Sequence, residues 1–167
     1  MITIGLKMIQ VGTASEAGTM PNDSDLKKMG KVYKDSATLT QEEGEETEHF
    51  EENNPIPEFS ETEQSTPVLE FDIMNADVDF LVEYMGGTKK SDNGKDTWIM
   101  ASSPAPVTKA LRIISKQGLN FDMPNALLSA RLNNELNSKG INLVHFKVKP
   151  LATTANNAFQ AWEQTSA

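Results

Sequence analysis

The chain has 167 residues, 38% hydrophobic and 23% charged, a balance suited to one domain with a sizeable core. It contains no cysteine, which excludes a disulfide framework, a thiol nucleophile and a thiolate metal site, and fits a reducing compartment. A net charge of -9 argues against sequence-specific DNA binding, which needs a basic footprint.

MITIGLKMIQV lacks the basic leader, long apolar run and small-residue cleavage site of a signal peptide. No apolar run approaches membrane-spanning length, so no membrane partner is expected. Ile2, Ile4, Leu6 and Met8 alternate, which predicts a strand or an extended arm. Gly12 to Asp25, rich in Gly, Ser, Thr, Asn and Pro, reads as a long loop, mobile in the free subunit and ordered by a neighbour. Leu26 to Lys34 is basic, and its period fits a helical turn or a strand equally. Ser36 to Gln41 and Glu46 to Glu51 read as two strands around EEGE, with Gly44 at the turn. NNPIP follows as a turn or bulge, because Pro55 and Pro57 cannot donate to a central ladder. Phe59 then begins an edge segment.

The stretch from Thr66 to Thr88 makes the clearest statement. Leu69, Phe71 and Ile73 face one way and Glu70 and Asp72 the other, as on a half-buried strand. At Asn75 the period changes: Val78, Leu81, Val82 and Met85 form a helical stripe. The spacing predicts a helix over about 75–85, capped by Asn75, charged at its start by Asp77 and Asp79, and stopped by Gly86 and Gly87. KKSDNGKD reads as a charged loop with Asn93-Gly94 at its tip, followed by a short strand from Thr97 to Ala101. Strands follow at Thr108 to Ser115, Leu119 to Met123, Ala126 to Leu132 and Val144 to Val148, with a bulge or break at Pro124. Phe159 and Trp162, three apart, fit a short amphipathic turn on a polar tail. The pattern predicts a mainly β fold, an antiparallel sandwich or barrel flanked by one short α-helix, with a long loop and terminal arms.

Charge is unevenly spread. Asp35 to Thr88 contains sixteen of the 24 acids and no Lys or Arg, while the flanks carry all fifteen basic residues. Such a division could draw copies of the chain together, or could simply keep a solvated face soluble. Catalytic signals are weak. His49 in TEHFEE shares a strand face with Glu51 at most, too little for a metal site. Acid pairs are plentiful, but no cleft-forming motif, phosphate-binding loop or nucleophile motif accompanies them. No enzymatic activity and no cofactor are expected.

Three stretches carry a family resemblance: GKVYKDSATLTQEEGEETEHFEENNP, PVLEFDIMNADVDFLVEYMGGT and LNFDMPNALLSARLNNELNSKGINLVHFKVKPL. In that order they resemble phage tail tube proteins, the β-barrel family that includes the tube-forming Hcp proteins of type VI secretion. The resemblance implies a tube-forming barrel over 1–152 with a C-terminal tail at 153–167. It implies a homo-oligomer of six-membered rings stacked into a tube, built with other tail proteins in the bacterial cytoplasm and located in the virion tail. DNA would pass through the lumen without sequence-specific binding. The tube of a secretion or contractile injection system, and a free-standing β-sandwich binding module, are the alternatives. The expected contact residues are Glu42, Glu43, Glu45, Glu46 and Glu48, facing the lumen or a basic patch of the next ring. Lys89, Lys90 and Lys95 are the expected basic partners.

Overall fold

The structure, a computed structural model, describes residues 2–164. It is mainly β with antiparallel sheets and one short α-helix. Four long strands fall where alternation places them: β6 (Val68–Ile73), β9 (Val107–Gln117), β10 (Leu119–Asn134) and β11 (Asn142–Pro150), whereas β1 (Ile4–Thr13) runs on into the expected loop and, after a register shift between Leu6 and Met8, buries Ile9 and Val11 while Ile2 and Ile4 are exposed. With the short strands β2 (Lys27–Lys28) and β3 (Thr38–Thr40) they form one sheet, ordered β2-β1-β9-β10-β11-β6-β3. The ladder does not close into a barrel, yet the sheet is rolled. Ile9 and Val11 from β1 meet Leu69, Phe71 and Ile73 from β6 in the same buried cluster, although these strands lie near opposite ends of the order.

The segment between β2 and β3 spans the open seam. It leaves β1, where β2 pairs through Lys27 and Lys28, and crosses to β6, where Val32 bridges Ile73 and β3 pairs Thr38–Thr40 with Val68–Glu70. Helix α1 (Val78–Met85) packs Phe80, Leu81, Tyr84 and Met85 onto the cluster rather than the expected stripe, whose Val78 and Val82 lie outside it, and Phe80 and Tyr84 stand edge-on to Phe146 at centroid distances of 5.8 and 5.5 Å. Phe146 stacks on Phe71 at 5.2 Å, so four aromatic rings close that part of the core.

Several local expectations change. Asp77, not Asn75, caps α1: its carboxylate accepts the Phe80 N–H at 2.8 Å. The Asn75 side chain instead accepts the Lys31 N–H at 2.6 Å and helps fix the seam segment. Gly86 ends the helix as expected, with φ 72°, and Gly87 follows at φ 91°. The acidic hairpin is not built around EEGE: β4 (Glu45–Phe50) pairs with β5 (Pro57–Glu63) through the NNPIP turn, and β3 belongs to the main sheet. KKSDNGKD is a hairpin rather than a loop, β7 (Thr88–Asp92) with β8 (Lys95–Ile99), turning at the expected Asn93-Gly94.

The long loop and the supposed tail hold each other. Ser15 N–H donates to the Pro124 carbonyl at 2.9 Å, Thr154 N–H to the Glu16 carbonyl at 2.9 Å, and the Asn157 amide to the Gly18 carbonyl at 2.8 Å. The loop is thus fastened within its own chain, to β10 and to the tail. Instead of a helical turn, the last described segment forms β12 (Gln160–Glu163), antiparallel to Leu119–Asp122 of β10. Its Phe159 neighbour stacks on Phe121 at 5.6 Å. The expected residues 165–167 of the tail lie outside the described residues.

Candidate functional site

The β4–β5 hairpin is an arm whose two strands pair only with each other. Every residue of β4 is exposed, and every residue of β5 except Pro57, so both faces of the arm meet solvent. Its base is strapped together. The Gln41 amide donates to the Ser65 carbonyl at 2.7 Å, and the Ser65 hydroxyl donates to the Glu42 carbonyl. Gly44 lies at this base rather than at a turn; a Cβ there would sit 2.1 Å from the Glu63 carbonyl oxygen. Glu45 stands directly opposite Glu63, a like-charge pair that weakens the ladder. Glu46 accepts the Ser60 hydroxyl at 2.9 Å. Among the described residues no cation lies within ion-pair distance of any carboxylate from Glu42 to Glu63. Phe50, Ile56 and Phe59 add exposed apolar surface to the arm. Of the expected acidic contacts, Glu45, Glu46 and Glu48 therefore lie on one protruding element, with Glu42 and Glu43 at its root.

The expected lysines are divided. Lys89 is neutralised within its own chain, at 3.0 Å from Asp79 of α1 and 2.9 Å from Asp96 of β8. Hydrogen bonds to Asp96 and then Asp79 hold its ammonium above the ordinary lysine range. The Asp96 carboxyl is held low, first by the Ser91 hydroxyl and then by Lys89. This triangle fastens the β7–β8 hairpin to the helix. Lys90 and Lys95 are exposed on that hairpin and enter no ion pair among the described residues.

Two polar clusters serve the sheet itself. Arg112 grips Asp122 with two bonds, of 2.8 and 3.0 Å, contacts Asp23 of the long loop at 2.5 Å, and lies over the Trp162 ring at 5.2 Å. One arginine thus binds loop, sheet and C-terminal strand. Across β10, β11 and β6, Arg131, His145 and Asp72 form one transverse row and Ser129, Lys147 and Glu70 the next. His145 Nδ1 lies 2.7 Å from Asp72 and its Nε2 3.5 Å from Glu70. Among the described residues no group of three or more His, Cys, Asp or Glu is placed to hold a metal ion, and His49 packs against Phe59 at 6.1 Å.

The largest departure from expectation is a basic groove of about 470 Å³ where the seam segment passes the start of β1. Lys7, Lys28, Lys31, Lys34 and Lys116 line it, together with the single acid Asp35. All five lysines are exposed, and none enters an ion pair among the described residues. Only the basic run from Lys27 to Lys34 hinted at it in sequence. Lys7 and Lys116 join through the long-range pairing of β1 with β9. The chain matches no protein-family model and no curated protein.

Proposed function

We propose that the protein is a structural subunit that assembles with copies of itself into stacked rings, the tail tube of a phage or prophage. The acidic arm carries the proposal. A two-stranded hairpin with both faces in water is marginal by itself. This one also sets Glu45 against Glu63 and exposes Phe50, Ile56 and Phe59. An element so built gains its order from a surface outside its own chain. The rolled sheet supports the same reading, because its outer strand β2 is only two residues long, pairs only with Gln10 and Val11, and leaves backbone groups at the start of β1 for pairing across a subunit boundary. Anionic surfaces facing a channel would repel a phosphate backbone and let DNA slide, whereas bound phosphates would stall it.

Sedimentation velocity and negative-stain microscopy on concentrated protein test the proposal. Rings or tubes are expected, and they should disappear when residues 45–63 are replaced by a short Gly-Ser link while thermal unfolding of the body changes little. Monomers at every concentration would overturn it.

A further inference from the structure

We infer that the lysine groove of one copy receives the acidic arm of the next; this rests on the self-assembly reading and names its contact. The argument begins with which charges the chain satisfies for itself. Among the described residues its ion pairs join Lys89, Lys109 and Arg112 to Asp23, Asp79, Glu83, Asp96 and Asp122, and His145 lies against Glu70 and Asp72. The arm and the groove contribute to none of them. Two dense, opposite and unsatisfied charge sets therefore remain on separate surfaces of one molecule.

Shape and apolar surface select the groove over other cations. Leu6, Met8, Val32 and Tyr33 line its walls between the lysines. They offer a dry contact for the exposed Phe50, which shares a face of the arm with Glu46 and Glu48, while the lysines ring that contact with positive charge. Lys90 and Lys95 sit on a hairpin in which Trp98 alone is half-buried, and Asp92 and Asp96 lie beside them. Lys147 and Arg131 sit in rows that already contain Glu70 and Asp72. In the groove Asp35 alone opposes five lysines. The arm leaves the body just beyond β3, close in sequence to the groove, so each copy presents donor and acceptor together and the contact can repeat from copy to copy.

Charge reversal tests this on the full chain. The groove variant Lys31→Glu/Lys34→Glu/Lys116→Glu and the arm variant Glu45→Lys/Glu46→Lys/Glu48→Lys should each fold, by circular dichroism, yet need at least about tenfold higher concentration to assemble, since each confronts like charges at the contact. An equimolar mixture should assemble again, with the two variants alternating, and so should the six-fold variant carrying both reversals. Carbodiimide cross-linking of mixed ¹⁴N and ¹⁵N wild-type chains should join arm glutamates of one copy to Lys7, Lys28, Lys31, Lys34 or Lys116 of another. Wild-type-like assembly of the groove variant, no recovery in the mixture, or inter-copy cross-links confined to Lys90, Lys95 and Lys147 would overturn the inference while leaving self-assembly intact. A wild type that stays monomeric would instead remove the self-assembly reading. Loss of duplex-DNA binding by the groove variant, with assembly unchanged, would reassign the groove to a nucleic acid.

Discussion

Arg112 should be the most expensive polar side chain in the molecule to remove. It and Asp122 keep only 14% and 7% of their side-chain surface accessible, and their two bonds satisfy both carboxylate oxygens. The bond to Asp122, ahead of the contact with Asp23, holds the guanidinium above even its usual high pKa. Arg112→Met keeps most of the aliphatic volume but leaves the Asp122 charge buried without a counterion. Breaking such a pair costs about 3–5 kcal/mol. For a domain of this size each kcal/mol lowers Tm by about 2–4 °C, so a fall of about 6–20 °C is expected. Asp23 is 92% exposed, and Asp23→Asn should lie within about 0.5 kcal/mol of wild type, because an exposed partner is screened by water. Arg112→Met/Asp122→Leu should recover most of the loss, since the stranded charge is gone. Urea unfolding of wild type, Arg112→Met, Asp122→Leu and Arg112→Met/Asp122→Leu, at a concentration where each sediments as a single species, completes the double-mutant cycle. An Arg112→Met cost below about 1 kcal/mol, or a double variant as unstable as the single, would refute the reasoning.

Three further perturbations probe other parts of the fold. Gly44→Ala places a methyl 2.1 Å from the Glu63 carbonyl oxygen; it should leave Tm nearly unchanged, speed amide exchange in β4 and β5, and weaken assembly. Truncation after Ala152 uncovers the Leu119–Asp122 edge and removes the half-buried Phe159 and Trp162; at about half the usual burial value for each ring, it should cost about 1.5–3 kcal/mol by urea unfolding. Burial, and secondarily Glu83, pushes the Tyr84 phenol above the ordinary tyrosine range. The unfolded chain therefore releases this proton near pH 10 while the folded chain keeps it, so Tyr84 contributes stability below that pH and loses it as pH rises further. Tyr84→Phe should move alkaline unfolding to higher pH, and in wild type the Tyr84 tyrosinate absorbance should rise together with unfolding rather than before it.

Local signals in the sequence suffice where a residue's own chemistry decides. Alternation located β6, β9, β10 and β11, Pro124 marked the register shift between Met123 and Ala126, and the glycines closed α1. Partners were harder to read. EEGE resembles a turn, but β3 finds its partner in Val68–Glu70 because the apolar Leu39 can pair there with Leu69, whereas the solvated β4 cannot enter the sheet. KKSDNGKD hid a hairpin because both of its faces are polar, leaving no alternation to see. Phe159 and Trp162 fitted a helical spacing, yet the same odd spacing puts them on opposite faces of an extended chain, one against Phe121 and the other under Arg112. The acidic half of the candidate site was legible as composition. Its basic half was not, since Lys7 and Lys116 meet only through the folded pairing of β1 with β9. Lys89 was an attractive partner in sequence, but Asp79 and Asp96 satisfy it.

The same charge division limits the geometry of any assembly. A paired hairpin still offers two outer strand edges, and such edges invite pairing with an identical copy. Here arm-to-arm pairing would bring together two runs of ten carboxylates each, Glu42 to Glu63, with no cation in either. At the strand separation of about 4.8 Å those charges would sit inside a Debye length, so the repulsion is only partly screened at physiological salt. A two-fold contact through the arms is therefore disfavoured, and an arm can be satisfied only by a different surface of the next molecule. Contacts between unlike surfaces do not end at a dimer: they close a ring when the rotation allows, or run on as a filament when it does not. Under this argument added salt has opposite effects on the two modes, loosening arm-to-groove stacking while tolerating arm-to-arm pairing. Assembly that strengthens between 50 mM and 500 mM sodium chloride, followed by light scattering, would mean that the arms meet each other after all.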